Sequence, residues 1–130
     1  MDDAKRLAEE RRVRKDEASR AWERVLAEVA VPAFHLTASA LAGEGLRFKV
    51  VTPGAAVRLT PERGAEEFVE LALETERDNP AVMLRYTRGR GRRVVSDERV
   101  LCDGVGAIAS LTEEDVIGAL LRELTPFIER

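Results

Sequence analysis

The stretch Glu67-Phe68-Val69-Glu70-Leu71-Ala72-Leu73-Glu74-Thr75 decides how this chain folds. Val69, Leu71, Leu73 and Thr75 alternate with Glu70, Ala72 and Glu74, which is the period of a half-buried strand. A helical reading competes, with Thr60-Pro61-Glu62 as a start signal and Ala65, Phe68, Val69 and Ala72 on one face. The alternation is the longer pattern and predicts a strand from about Glu67 to Thr75. With a strand here, the segments on either side become neighbours in a sheet.

Upstream, Leu46, Phe48 and Val50 alternate with Arg47 and Lys49, and Thr52-Pro53-Gly54-Ala55 suits a type II turn before Val57 and Leu59. Downstream, Asp78-Asn79-Pro80 turns the chain into Val82, Leu84 and Tyr86, which alternate with Met83, Arg85 and Thr87. Arg93 to Cys102 is again extended, with a bulge or second turn expected at Asp97-Glu98-Arg99. Residues Val105 to Ala109 are expected to add a short sixth strand. Sorted by phase, Leu46, Phe48, Val50, Val57, Leu59, Val69, Leu71, Leu73, Val82, Leu84 and Tyr86 point one way. Arg47, Lys49, Arg58, Glu70, Glu74, Met83, Arg85 and Thr87 point the other. That sorting predicts an antiparallel sheet with helices on its apolar face only. The ionic face runs basic, acidic, then basic, which favours pairing of neighbouring strands.

Trp22, Leu26, Val29, Ala33, Leu36 and Ala40 make one helical stripe. Pro32 interrupts it, so a kink or two successive helices are expected, ending at Gly43 or Gly45. Thr112 caps a C-terminal helix with an acidic first turn, Glu113-Glu114-Asp115. Its buried face is read as Val116, Ile117, Leu120, Leu121 and Leu124, with Pro126 ending or bending the last turn. Residues 1–20 read as a charged helical extension, frayed at its start, and residues 2–28 carry eight basic and eight acidic side chains. Residues 21–130 read as a single α+β domain of two layers. It comprises an N-terminal helix kinked at Pro32, an antiparallel meander of five or six strands, and a C-terminal helix on the same face.

A chain of 130 residues, 45% hydrophobic and 35% charged, can bury a core without disulfides or metal. Its net charge of −3 argues against whole-protein attraction to nucleic acid, so any such binding is local. No contiguous apolar run approaches the roughly 18 residues of a bilayer span, and the first residues lack a signal-peptide core, so no membrane partner is expected. A single cysteine suits a reducing, cytoplasmic setting.

The most suggestive motif is Thr87-Arg88-Gly89-Arg90-Gly91-Arg92-Arg93 between two strand-like segments. Arg85, Arg88, Arg90, Arg92 and Arg93 form a candidate anion or nucleic-acid site, because glycine admits close approach and guanidiniums offer forked donors. Those five and Arg99, set against Asp97 and Glu98, leave about +4 over residues 85–99. Four phosphate contacts imply a salt slope near −3.6, from about 0.9 per phosphate. The same run also serves as a solvated hairpin tip. Arginine clusters weigh less here, since only Lys5, Lys15 and Lys49 are lysines among 21 basic residues.

Other chemistry is sparse. His35 has no carboxylate three or four residues away to orient it, which a general base normally needs. Cys102 has no partner thiol and reads as a small core residue. One histidine and one cysteine do not make a structural zinc set, and no dinucleotide or phosphate-loop spacing occurs. Only Phe68 has outward phase among the sheet aromatics, which disfavours a base-stacking platform. The expectation is a non-catalytic interaction module without cofactor, binding a protein partner or a second copy of itself through the charged helix or the sheet face. The alternative is weak, sequence-independent nucleic-acid or phosphate binding through the arginine loop.

Overall fold

The structure is a computed structural model that describes residues 2–63, 67–90 and 92–128. Five antiparallel strands lie side by side in chain order: β1 (Phe48–Val51), β2 (Ala56–Pro61), β3 (Phe68–Glu74), β4 (Ala81–Arg90) and β5 (Arg93–Asp103). The contested stretch is therefore strand, bonded on both sides, with Leu71 opposite Val57 and Leu84. Val57, Leu59, Val69, Leu71, Val82 and Leu84 are fully buried, and Leu46, Phe48, Val50, Leu73 and Tyr86 pack against them. Each fully buried side chain contributes roughly 1.5–3 kcal/mol before chain entropy is counted, so the inner face dominates folding.

The helical layer is α1 (Asp2–Val25), a π turn (Leu26–Ala30), α2 (Val31–Gly43), α3 (Val105–Ala109) and α4 (Glu113–Ile128). Pro32 does not break the first helix. Because proline removes the donor owed to the carbonyl four residues back, the preceding turn widens, and the Val31 N–H bonds to the Leu26 carbonyl. The inserted residue rotates the buried face by one position. Ala18, Trp22 and Val25 are buried before the turn; Ala30, Ala33, Phe34, Thr37 and Leu41 are buried after it. Leu36 and Ala40, expected on the stripe, are exposed for this reason.

Gly45 closes α2 at a positive φ of 82°, where the Leu46 N–H reaches the Leu41 carbonyl at 2.9 Å and the Gly45 N–H reaches Ala42 at 3.0 Å. That pair of bonds is a Schellman cap. One 18-residue window of the continuous Asp2–Gly43 helix has a mean hydropathy of 1.5, so by length and composition it is apolar enough to span a bilayer. Contiguous-run counting misses it because Glu28, Pro32 and His35 divide the alanines and valines. A third of the window is buried within the fold, and a core helix passes the same test.

Two expectations about β5 and its sequel are corrected. The strand runs uninterrupted through Asp97-Glu98-Arg99; the irregularity lies further on, where Val82 faces Cys102 but Met83 faces Val100. Leu101 is the extra residue of a bulge, and both Leu101 and Cys102 pack on the core. Residues Val105–Ala109 form a helix instead of a sixth strand. Gly104, at φ 86°, swings the chain out of the sheet, and Ile108 is then fully buried beneath α1. Arg24 donates to the Ala109 carbonyl at 2.9 Å, placing a cation at the C-terminus of α3.

In α4 the cap forms as expected: the Asp115 N–H bonds to Thr112 Oγ1 and the Thr112 N–H to Asp115 Oδ2. Pro126 lies within the helix. Leu121, read as buried, is 46% exposed, and Glu123 takes a buried position instead.

Candidate functional site

Strands β4 and β5 form a long hairpin, paired from Ala81–Asp103 to Arg90–Arg93. Strand β3 stops pairing at Phe68–Thr87, so residues 88–90 and 93–95 extend past it as a two-stranded ribbon. Beyond β5 no further strand follows among the described residues, which makes its eleven residues a sheet edge. Val94, Val95 and Val100 on this edge are 50%, 42% and 40% exposed.

The hairpin spreads the candidate arginines over different surfaces. Arg85 lies on the outer face, in a transverse row of alternating charge: Arg58 opposite Glu70, Glu70 opposite Arg85, Arg85 opposite Glu98. Arg58 Nη2 is 2.8 Å from Glu70 Oε1, and Arg85 contacts Glu98 at 3.0 Å, Glu74 at 3.3 Å and Glu70 at 3.9 Å. The Arg58 guanidinium also lies 4.0 Å from the Phe68 ring centre. These long side chains lie across their neighbours, so Glu70, Ala72, Met83 and Thr87 are buried on a face expected to be wet.

Arg88 points the other way, toward the helical layer. Its Nη2 sits 3.0 Å from Glu123 Oε2, while Arg99 Nη2 sits 3.1 Å from Glu123 Oε1. One buried carboxylate of α4 is thus held between two guanidiniums. Arg88 also stacks 4.4 Å from the Tyr86 ring centre, and the Tyr86 hydroxyl donates to Asp97 at 3.3 Å. Burial first, then the nearby Asp97 and Glu123 carboxylates, holds the Tyr86 hydroxyl above its ordinary pKa, against the opposing pull of Arg88.

Arg92 lies in the turn and Arg93 at the start of β5; both are exposed, and neither has an ion pair with a described residue. Arg90 ends β4 opposite Arg93, while its side chain and Gly91 lie outside the described residues. Arg85, Arg88, Arg92 and Arg93 therefore do not converge on one point. Sequence reading missed Glu123, although a carboxylate three residues after Leu120, on the apolar side of a helix, requires a buried cation nearby. It also missed that β5 is an edge, since strand order is not written in any one segment.

His35 is exposed on α2. Cys102 is half-buried, and burial pushes its thiol up to about 11, with Asp103 and Asp115 adding to the shift against a backbone hydrogen bond from Val82. Among the described residues no three His, Cys, Asp or Glu side chains are grouped to hold a metal ion. Searches against protein-family models, curated proteins and solved structures find no match to this chain.

Proposed function

We propose that this chain is a non-catalytic protein-interaction module that docks by strand addition at the exposed edge of β5. The supporting observation is the eleven-residue edge strand with three exposed valines. Proteins usually blunt such edges with short strands, charged side chains, prolines or bulges. β1, at the opposite edge, is only four residues long. By contrast, β5 has eleven residues, no proline, and regular pairing from Arg93 to Val100 ahead of its bulge, with charges of both signs that an occupant must complement. Strand addition draws affinity from main-chain hydrogen bonds and selectivity from alternate side chains. The occupant is an extended segment of a protein partner or of a second copy. The proposed setting is the cytoplasm, on the strength of a single unbridged cysteine.

The test is co-purification from the native host with wild-type and Val95→Lys baits, followed by reconstitution from purified components. A reconstituted partner is expected to slow amide exchange across residues 93–100 and to lose affinity for Val95→Lys. A partner that protects another surface and binds both baits equally would overturn the proposal.

The anion-binding alternative rests on a smaller set. Arg85 and Arg88 are committed to glutamates, which leaves Arg92 and Arg93, with Arg90 beside them in sequence. Three phosphate contacts correspond to a salt slope near −2.7, at about 0.9 each. Gel shifts on mixed DNA and RNA at low salt, with those three arginines replaced by serine as control, decide it; no shift by the parent chain removes this reading.

A further inference from the structure

The charge order along the edge strand names its occupant. Arg92-Arg93-Val94-Val95-Ser96-Asp97-Glu98 reads plus, plus, three neutral residues, minus, minus. An antiparallel pairing of a strand with its own copy brings together residues equidistant from the centre. About Val95, that aligns Arg93 with Asp97 twice by symmetry, with Val94 beside Ser96, Val95 against itself, and the turn residue Arg92 brought toward Glu98. Opposite charges directly across a strand pair stabilise it, and like charges destabilise it.

We propose that two copies of this chain pair β5 to β5, antiparallel about a two-fold axis at Val95, into one continuous ten-stranded sheet. This inference rests on β5 being the docking edge and commits it to a second copy. Paired residues in a continuous sheet must share a face, so the axis passes through a residue. Centring on Ser96 sets Arg93 against Arg99, and centring on Asp97 sets that carboxylate against itself. Centring on Val94 leaves Arg92 and Arg93 opposite Ser96 and Val95. Centring on Glu98 sets two glutamates face to face and carries the pairing into the bulge at Leu101, where the alternation of faces fails. Val95 is the centre, among residues 94 to 98, that gives complementary pairs without a like-charge clash.

The groups involved are accessible. Arg92, Arg93 and Asp97 are exposed, and the Glu98 side chain is 57% exposed. Glu98 engages Arg85 through Oε2, and a carboxylate has capacity for a second guanidinium. Arg93, Val95 and Asp97 lie on the face of β5 that carries Arg99, so the Arg93–Asp97 pairs form on that face, and Arg92 approaches Glu98 from the turn that precedes the strand. Seven residues from each copy make an interface smaller than a standard one, so the dimer is weak and sensitive to salt.

Sedimentation velocity from about 10 μM to 1 mM at low and high salt tests the proposal, with two charge-reversed variants of the full chain checked for folding by circular dichroism. Arg92→Glu with Arg93→Glu makes the window wholly acidic; Asp97→Arg with Glu98→Arg makes it wholly basic. Each alone is expected to be monomeric, and an equimolar mixture is expected to recover dimer. As a register probe that survives poor folding of either variant, Val95→Cys in a Cys102→Ser background should cross-link to itself with a short bis-maleimide. Val51→Cys, on the opposite edge, should not. A wild-type chain that stays monomeric at 1 mM in low salt, a dimer indifferent to both reversals, or equal cross-linking at both positions overturns self-pairing. The first of these leaves β5 open to a different protein, so it is distinguishable from failure of the docking-edge reading.

Discussion

Glu123 occupies a place on α4 where the pattern of Val116, Leu120 and Leu124 calls for an aliphatic residue, and it is tolerated there because Arg88 and Arg99 flank it. Removing one partner from a buried ionic group costs more than the group contributed, since the remaining charge stays in a poor solvent. Glu123→Ala is expected to lower stability by about 3 kcal/mol, read as a shift in the urea midpoint at unchanged slope. Arg6→Ala, which breaks an exposed pair with Asp3, should change it by about 0.5 kcal/mol or less. Cys102 is a second residue-scale case. Its thiol is pushed up to about 11 by burial, so alkylation by iodoacetamide at pH 8 should run roughly a hundredfold slower than for a free thiol, and should accelerate as pH climbs toward that value. Folding stability follows in sign. Below the unfolded thiol's value both states hold the proton; above it the unfolded chain releases a proton that the folded chain keeps, so stability falls with rising pH until the folded thiol ionises too. Cys102→Ser should flatten the alkaline limb of a stability profile; an unchanged limb would assign it to other groups. The arginine run was legible as a cluster, but its partners were not. Glu123 lies 35 residues from Arg88 and Glu98 lies 13 from Arg85, so only the folded register could reveal that Arg85, Arg88 and Arg99 are answered by carboxylates.

Elements were legible wherever one period dominated for long enough. The alternation over Val69–Thr75 and the flanking strands predicted both their existence and which face each side chain takes, because a period of two leaves no ambiguity about phase. The short segment Val105–Ala109 carried too few residues to separate strand from helix, and it was decided by Gly104 and by the need to bury Ile108. The π turn was unreadable for a different reason. Pro32 announces a disturbance, but whether the chain kinks, breaks or inserts a residue depends on packing against the sheet, and the choice moved the buried face from Leu36 and Ala40 to Thr37 and Leu41. The end of α2 permits a sharp test of local conformational cost. A Cβ added at Gly43 or at Gly45 meets nothing within 4 Å, so neither substitution is limited by space. Gly43 is helical, and Gly43→Ala should raise stability by up to about 1 kcal/mol. Gly45 sits at φ 82°, and Gly45→Ala should lower stability by about 1 kcal/mol. Opposite signs at positions two residues apart, measured by thermal and urea unfolding, would establish the cap as a conformational device; equal signs would remove it.

At the scale of the molecule, two surfaces are open to the proposed association, and they are far apart in chain and in chemistry. Every residue from Asp2 to Val13 is exposed, so the start of α1 projects without packing, and its ion pairs Arg6–Asp3 and Arg12–Glu9 lie within the helix. The first buried side chain of that helix is Ala18. Deleting residues 1–13 therefore removes no core contact and is expected to shift the thermal midpoint by no more than about 2 °C, the effect of a surface change near 0.5 kcal/mol. Association that favours the folded state makes the midpoint rise with protein concentration, by mass action. If the edge of β5 carries association, the deleted chain keeps that dependence and Val95→Lys loses it, because two ammonium groups would face each other across the axis. If the projecting helix carries it, the outcomes exchange. Midpoints recorded over a hundredfold range of concentration for the parent, the deletion and Val95→Lys thus separate the two surfaces. Added salt should weaken the dependence of the parent, since ion pairs at the rim of a small interface are screened within about 10 Å at 0.1 M.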